Sequence, residues 1–427
     1  MAGVLVLAKR PRRVIMGWLA RAAIAAYLLL YGFNLGYPKP IFDEIHYVNG
    51  VRQILSSKNL ALGHPPLALI VTSVLVRSFG DVALVWRLVP LFCGLGLIFV
   101  VYFLAKTLTR STATAVVAAF LFGLDGMAMV NARLYLMGCP MLFLGMLALL
   151  VFAQHVIAGK RSRRRAFLLT GVLWGLALAT RWQVLSMIVP FLYLLWRLFR
   201  KTAQRRGLLV DFTAYVVLPA VLVYIGVFLV LPILMDFNWY YGWRWAIGWH
   251  DLVMNYYSYK PGTPLHPSSS KWWTWPLMIR PILLAIDNES WKQGVVRAIY
   301  MIGNPAVFWV FPLAVVYLMR IFFFRRPKRW VFASGFLLLG IASQWLPWAS
   351  RPHMQIIHYF YTVIPFLTIA IALGLTRLWR VGGTGRGLVI FYLAVVVCSY
   401  IYWYPLWSMF PISVPYWSHH LWFKTWG

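Results

Sequence analysis

The stretch Phe42-Asp43-Glu44-Ile45-His46-Tyr47 stands between two long apolar segments, together with the later motif Gly63-His64-Pro65-Pro66-Leu67. The chain of 427 residues has nine acidic residues against forty Lys plus Arg, so two adjacent carboxylates beside a membrane-length run are unusual. Ionisable groups close to a bilayer are costly and commonly have a function. We therefore expect Asp43 and Glu44 to form the chemical centre. A solvated turn or a helix cap is the structural alternative.

The composition predicts an integral membrane protein. Hydrophobic residues make up 62% of the chain and charged residues 11%, whereas charged residues are about a quarter of a soluble domain. The net charge of +31 is located between the apolar runs, which indicates anionic membrane lipids as partners and not nucleic acid. The three cysteines have no CxxC spacing, so neither a disulfide framework nor a zinc site is expected.

Eleven apolar segments are predicted to cross the membrane, at about 20 residues for each span. Two of them, 166–180 and 183–199, are short, but basic clusters on both sides of the pair require an even number of crossings between them. The other nine are 14–36, 84–105, 112–130, 135–158, 211–235, 299–320, 330–349, 356–376 and 387–404. The sequence thus predicts one all-α polytopic domain, 1–427, with about eleven transmembrane helices.

The basic clusters also predict the orientation of the chain. A cytoplasmic N-terminus places every dense Lys/Arg cluster in the cytoplasm, as the positive-inside rule requires. Eight of the nine acids, all except Asp211, then lie at or near the opposite face, together with the large segments 37–83 and 236–298. The active site is therefore expected on the extracytoplasmic face of a cell membrane.

The two large segments differ in character. Apolar residues at helical spacing predict two amphipathic helices in the first extracytoplasmic loop, one from Ile45 to Leu55 and one from Leu67 to Val76. The segment 236–298 is instead rich in Trp and Tyr, a composition typical of a membrane interface and of sugar stacking.

Further candidate groups lie near the predicted outer ends of the spans. Arg133, Arg351 and His358 are cations suited to binding a phosphate, although snorkelling of Arg351 and His358 to headgroups is an alternative. Asp125 and Arg133 lie at the two ends of the segment 125–133, and an internal salt bridge between them is the structural alternative. His64 alone suits a helix-start hydrogen bond. The histidines form no HExxH pattern, so no metal site is expected.

The order of the motifs resembles the protein O-mannosyltransferase family over nearly the whole chain. The motifs that match are Phe42 to Tyr47, His64-Pro65-Pro66-Leu67-Ala68, Phe79-Gly80-Asp81 with Trp86 to Pro90, Leu124-Asp125 to Arg133, Gly175 to Trp182, His266-Pro267, Trp272 to Pro281, Gly303-Asn304-Pro305 and His358 to Phe366. The Trp-Trp-Thr-Trp-Pro-Leu run at 272–277 is the most specific of them.

This resemblance implies a GT-C glycosyltransferase fold that transfers mannose from a polyprenyl phosphate to Ser or Thr of exported proteins, with inversion. It implies an acidic catalytic pair at Asp43 and Glu44 and a phosphate-binding arginine at Arg133. The matching motifs also supply the substrate-binding candidates His64, Asp125, His266, Trp272, Trp273 and Arg280. No cofactor is required, because cations already hold the leaving phosphate, although a divalent ion could serve.

The chain departs from the family pattern at three places. Leu69 stands where lysine is frequent, Met137-Gly138 replaces Leu-Asp, and Ser268 follows His266-Pro267 where the family has tyrosine. The β-trefoil domain of eukaryotic members is absent, which favours a prokaryotic plasma membrane. Three alternatives stay open: a GT-C transferase of another lipid-linked sugar to a glycolipid or glycan, a transporter or flippase, and a non-catalytic partner subunit.

Overall fold

The computed structural model describes residues 9–57, 63–160, 162–235, 239–258, 265, 267–324, 327–351 and 355–426. The longer helices, in chain order, are α1 (Lys9–Gly32), α2 (Glu44–Leu55), α3 (Leu67–Phe79), α4 (Ala83–Thr109), α5 (Thr112–Gly123), α6 (Gly126–Arg133), α7 (Gly138–Ala158), α8 (Arg163–Leu178), α9 (Ile188–Lys201), α10 (Arg205–Phe212), α11 (Leu218–Leu234) and α12 (Trp239–Tyr257). The second half contains α13 (Asn288–Lys292), α14 (Pro305–Phe308), α15 (Phe311–Phe324), α16 (Lys328–Trp345), α17 (Ile364–Leu378), α18 (Gly383–Trp403), α19 (Pro405–Ser408) and α20 (Val414–Ser418).

The helices confirm the prediction of an all-α polytopic membrane fold. Each of the eleven predicted segments contains a helix. Within the described ranges, eight helices are long and apolar enough to span a bilayer, and the bent pair α5 and α6 is a ninth if it is one span. The helices α1 and α8 occupy the two remaining segments.

The predicted span 112–130 is broken, and the sequence explains where. The axes of α5 and α6 differ by 63°. Asp125 has extended backbone at the break, and its side chain accepts a hydrogen bond of 2.9 Å from the amide of Ala128, which starts α6 as a new helix. A single apolar run is therefore interrupted at its one acidic residue.

The core of the bundle is formed by α7 and by the segment 357–381, which contains α17. In the apolar stretch of that segment 83% of the residues are buried, and in the apolar stretch of α7 61% are buried. Helix α7 packs between α4 and α8, and α17 packs on α5. Gly94 allows α4 to approach α6 closely, because a Cβ at Gly94 would lie 2.4 Å from the Cβ of Ala132.

Two short antiparallel sheets interrupt the helical pattern. Strand β1 (Ile282–Ile286) pairs with β3 (Ala298–Met301), and β2 (Val295–Val296) pairs with β4 (Ile412–Ser413). The prediction that a helix begins at 299 is therefore wrong, since residues 298–301 form a strand and the helical turns begin at Pro305. An apolar strand followed directly by an apolar helix gives one uninterrupted hydrophobic run in the sequence.

Both helices predicted in the loop 37–83 are present as α2 and α3. Val48, Val51 and Ile54 form the buried face of α2. Ile45 and Leu55, which were predicted on the same face, are 49% and 42% exposed. The buried face is completed instead by Tyr47. Helix α2 therefore packs against the bundle through this face. Its N-terminus, with Asp43 and Glu44, lies near the start of α4 and the end of α6.

Candidate active site

A cleft at the N-terminus of α2 brings together side chains from the first loop, α6, the α6–α7 connection, the end of α8, β3 and the turn before α17. The residues that line it are Phe42, Asp43, Tyr47, Asn131, Leu136, Gly138, Arg181, Gln183, Met301, His358, Tyr361 and Thr362. One carboxylate and two groups able to carry positive charge are present among polar and aromatic side chains. A cleft with few convergent polar groups is the usual form of a small-ligand site.

Asp43 supplies the carboxylate of this cleft. It stands at the N-cap position of α2 and is partly buried. Its carboxylate accepts no capping hydrogen bond from the helix amides, so the helix-cap alternative does not account for it. The preceding residue, Phe42, has a φ of 53°, a left-handed conformation that is strained for a bulky side chain. The chain is thus held in a costly conformation directly before the carboxylate.

Glu44 is fully buried and organises the backbone around Asp43. Its Oε2 accepts hydrogen bonds from the amide of Ile41 at 2.8 Å and from Arg87 Nη2 at 2.6 Å. Its Oε1 accepts from Arg87 Nε at 2.9 Å and from the amide of Tyr135 at 2.6 Å. The carboxylate does not line the cleft, and its four contacts hold the loop before α2 against α4 and the α6–α7 connection.

Arg87 completes this network from within α4. Its Nη1 donates to the carbonyl oxygens of Leu35 and Tyr37, each at 2.8 Å, and its Nη2 donates to that of Lys39 at 3.2 Å. With an exposure of 1%, Arg87 has no access to a substrate. The Glu44–Arg87 pair therefore positions the segment 35–44, and Phe42 and Asp43 with it.

Arg181 and His358 are the groups of the cleft that can bear positive charge. The guanidinium carbon of Arg181 lies 5.3 Å from the ring centroid of Tyr359, a cation–π contact that fixes the side chain. His358 packs on Tyr359 and on the edge of Phe42, with centroid distances of 4.0 Å and 6.4 Å. His358 was predicted from the sequence, whereas Arg181 was not singled out. The sequence signal for Arg181 is its position directly after the predicted span 166–180, at an end predicted on the outer face, a position that it shares with arginines that snorkel.

His64 lies close to Arg181 and His358. Its ring stacks on that of Tyr47, with 6.0 Å between the ring centroids. The motif is anchored by a hydrogen bond of 3.0 Å from the amide of Leu67 to the carbonyl of Ala179, close to Arg181. Burial lowers the pKa of His64 well below its usual value, and the charges of Arg181 and His358 lower it further. These effects favour the neutral imidazole, which can donate or accept a hydrogen bond.

Arg133 and Asp125 occupy structural positions away from the cleft. Arg133 is 3% exposed, and its guanidinium binds the carbonyl oxygens of Leu30, Tyr31, Phe33 and Ser408 around the C-terminal end of α1. These are acceptors that a helix end leaves without partners. Asp125 is fully buried and binds the amides of Ala128 and Asn304. No salt bridge joins Asp125 to Arg133 in the described part of the chain. The structure therefore does not bring the predicted phosphate-binding arginine, or Asp125, to Asp43.

The remaining candidates lie outside the lining of the cleft. Arg351 is exposed at the end of the turn Leu346–Ser350.

Trp272 packs edge-on against Trp345, with 5.1 Å between the ring centroids, and Trp273 is 54% exposed. Arg280 donates to the carbonyls of Pro267 and Ser269, which ties it to the loop that follows His266. His266 itself lies outside the described residues. Trp272, Trp273 and Arg280 thus belong to the loop 267–280, and neither they nor Arg351 line the cleft.

Two of the departures from the family pattern have clear positions. Leu69 is buried in the core. Gly138 lines the cleft, where a Cβ would lie 3.3 Å from Asn131 Oδ1, so the floor of the cleft carries no second acid at this point. Over the described ranges, no group of three His, Cys, Asp or Glu side chains could hold a metal ion.

Comparison with known proteins gives one consistent family. Residues 61–247 match the family model described as "Dolichyl-phosphate-mannose-protein mannosyltransferase", and residues 243–426 match "C-terminal four TMM region of protein-O-mannosyltransferase". A polyprenol-phosphate-mannose–protein mannosyltransferase of Mycolicibacterium smegmatis is 28% identical, with 96% of this chain and 93% of the relative covered.

Solved structures show the same architecture. The protein O-mannosyltransferase Pmt1-Pmt2 complex of S. cerevisiae, bound to the sugar donor, has a TM-score of 0.81 at 11% identity and covers 96% of this chain and 92% of its own. ArnT from Cupriavidus metallidurans, bound to undecaprenyl phosphate, has a TM-score of 0.62 at 17% identity and covers 90% of this chain and 64% of its own.

Proposed function

Since this chain belongs to the protein O-mannosyltransferase family of the GT-C superfamily, we propose that it transfers mannose from a polyprenyl phosphate to Ser or Thr hydroxyls of exported proteins. One observation carries the proposal for the site: the Asp43 carboxylate lines the same cleft as Arg181 and His358. Such a site contains a base for the acceptor and cations for the leaving phosphate.

Asp43 acts as the general base in this proposal. The acceptor hydroxyl must lose a proton as its oxygen attacks C1 of the sugar, and a positioned base contributes typically about 10²–10⁴-fold to the rate. The carboxylate takes this proton while the bond between C1 and the phosphate oxygen breaks on the opposite face of the sugar ring. One direct displacement of this kind inverts the anomeric centre.

Arg181 and His358 stabilise the departing phosphate. Negative charge grows on the lipid phosphate as the bond to C1 breaks, and fixed donors in a cleft shielded from water stabilise it more strongly than water does. Arginine is suited to this task, since its guanidinium can donate two parallel hydrogen bonds to a phosphate. The contact of Arg181 with Tyr359 holds the guanidinium in place before the donor binds. We assign no step to a metal ion.

The sugar ring is proposed to lie between aromatic side chains of the cleft. Tyr47 and Tyr361 are both buried lining residues, and Asn131 and Gln183 supply amide groups beside them. Aromatic faces pack well against the apolar face of a sugar, and amides bind its hydroxyls. The acceptor must approach Asp43 from the side opposite to Arg181 for the displacement to be in line.

The proposed activity is tested by an in-vitro assay with a panel of polyprenyl-phosphate sugars and two acceptors, a Ser/Thr-rich peptide and a glycolipid. We expect mannose to be transferred to the peptide. Transfer only to the glycolipid, or only from a donor carrying another sugar, would replace the proposed substrate while leaving the GT-C mechanism intact. A complete lack of transfer with every pair would contradict the enzyme assignment itself.

The donor phosphate provides a prediction for Arg181. Arg181→Ala is expected to raise the KM for the donor by roughly ten- to a hundredfold, because a hydrogen bond to a charged group contributes about 1.5–3 kcal/mol. The rate is measured against donor concentration with the acceptor saturating. Arg77→Ala is the matched control, since Arg77 is an exposed arginine of α3 outside the cleft. An unchanged donor KM in Arg181→Ala would move the phosphate toward Arg351.

We further propose that the cleft faces the outside of the cell membrane and that the N-terminus is cytoplasmic. Support comes from the basic clusters 160–165, 325–329 and 377–386, which the positive-inside rule places in the cytoplasm. Tags at Gly383, the first residue of α18, and after Gly427 are expected to report opposite sides, with Gly383 inside. Labelling of both tags by an impermeant reagent added to intact cells would contradict this orientation.

A further inference from the structure

A second cleft lies at the opposite end of the helix bundle from Asp43. It forms where α4 and α17 end and where α5 and α16 begin, and four arginines line it: Arg110, Arg329, Arg377 and Arg380. Arg110 follows Arg87 by 23 residues along α4, or about 35 Å at the rise of an α-helix. The two clefts are therefore separate sites.

Among the residues that the structure describes, no acidic side chain lines this cleft. The other lining residues are Thr109, Ser111, Thr114, Trp330, Leu373 and Thr376, and none is acidic. Within the described ranges no carboxylate forms an ion pair with any of the four. The one acid predicted for this face, Asp211, pairs with Arg163 and Arg164. Four like charges around one concavity repel one another, and this arrangement is stabilised when an anion occupies it.

Two of the four guanidinium groups are held in place before any ligand binds. The ring of Trp330 contacts two of them, with the guanidinium carbon of Arg377 at 4.4 Å and that of Arg329 at 5.1 Å from the centroid. Arg329 Nη2 is buried and has no hydrogen-bond partner among the described residues. A buried donor without a partner is costly, so this atom favours an acceptor inside the cleft.

Hydroxyl groups and a helix N-terminus complete the anion-binding character of the cleft. Ser111 caps α5, a helix of 12 residues, through a hydrogen bond of 3.2 Å from the amide of Thr114. The Thr114 and Thr376 hydroxyls are hydrogen-bonded to each other at 2.9 Å, and Thr376 donates its proton to the carbonyl of Ala372 at 2.8 Å. The Ser111 hydroxyl, whose oxygen accepts the capping bond, can donate its proton to an oxyanion. The positive end of the α5 dipole adds to the attraction for a negative ligand.

We propose that this cleft binds the phosphate headgroup of an anionic membrane lipid. The planar fork of arginine matches the geometry of a phosphate, and a lipid phosphate lies at the depth where spanning helices end. Exposed apolar side chains close to the cleft in the chain, Phe323 and Val381 at 70% and 75% exposure, provide surface for acyl chains. The site anchors the cytoplasmic end of α4, α5, α16 and α17 to the lipid leaflet at that end.

The test compares lipid binding by the full-length protein and by Arg377→Gln/Arg380→Gln. Binding of phosphatidylglycerol and of phosphatidylcholine is measured by native mass spectrometry of the detergent-purified protein. We expect the wild type to retain phosphatidylglycerol in preference, and the double variant to bind it at least about tenfold more weakly, since two charge-assisted contacts are lost. Arg205→Gln/Arg206→Gln removes two exposed charges from the same predicted face outside the cleft and should bind like the wild type.

Three results would overturn the proposal. The first is a double variant that retains as much phosphatidylglycerol as the wild type, and the second is an equal loss in the control variant. The third is displacement of the lipid by inorganic phosphate at equal concentration, which would identify a free anion as the occupant. Arg329→Gln is the second variant if the double variant fails to fold, as judged by circular dichroism, and it should show the same selective loss.

Discussion

Purified Asp43→Asn protein is expected to transfer sugar at least about a hundredfold more slowly than the wild type while it binds the donor normally. The amide has nearly the shape of the carboxylate but cannot accept the proton of the attacking hydroxyl. Because the carboxylate caps no amide of α2, its replacement removes no helix-capping bond. The measurement is kcat, with donor and acceptor saturating, together with the donor KM.

Two comparisons separate a loss of the base from a loss of structure. Asp81→Asn changes a carboxylate that binds Arg52 and Trp86 outside the cleft, and it should leave kcat within a fewfold of the wild type. The thermal unfolding temperature of Asp43→Asn should match that of the wild type. Near-normal transfer by Asp43→Asn would remove Asp43 from the role of base, and a lowered unfolding temperature would assign it a structural role.

Most of the fold could be predicted because membrane spans follow from hydrophobicity, length and the positions of the basic clusters. Each of the eleven predicted segments falls on a helix, and both loop helices α2 and α3 are present. The errors come from features that hydrophobicity does not register. Strand β3 is as apolar as the helix after it, and the pairing of β1 with β3 depends on residues that meet only in the folded chain.

The candidate site could be predicted in part. Asp43 and His358 were expected on the outer face, and both line the cleft. Arg133 was expected there too, but it meets the end of α1, a hundred residues earlier in the chain, and the sequence carries no information about that contact. Arg181 was missed because its position in the sequence is not distinctive. An arginine directly after a span is common at membrane interfaces, so only the folded structure distinguishes it from one that snorkels.

The position of Asp43 depends on the buried Glu44–Arg87 ion pair, so we expect replacement of Arg87 to have a large effect. Arg87→Ala is expected to destabilise the protein by about 3–5 kcal/mol, because it leaves the Glu44 carboxylate buried without its cation. The carbonyls of Leu35, Tyr37 and Lys39 lose their donor at the same time. The strained conformation of Phe42 should then relax and move Asp43, so transfer should fall even where the protein stays folded.

The free energy of unfolding in detergent and the transfer rate of the folded fraction are the two measurements for Arg87→Ala. Arg52→Ala is the matched control: its pair with Asp81 is exposed, with side-chain exposures of 50% and 38%, and such pairs contribute about 0–1 kcal/mol. Glu44→Gln combined with Arg87→Met should be more stable than Arg87→Ala alone, since no charge then remains buried without a partner. An Arg87→Ala protein as stable as Arg52→Ala, with unchanged transfer, would show that the Glu44–Arg87 pair does not position Asp43.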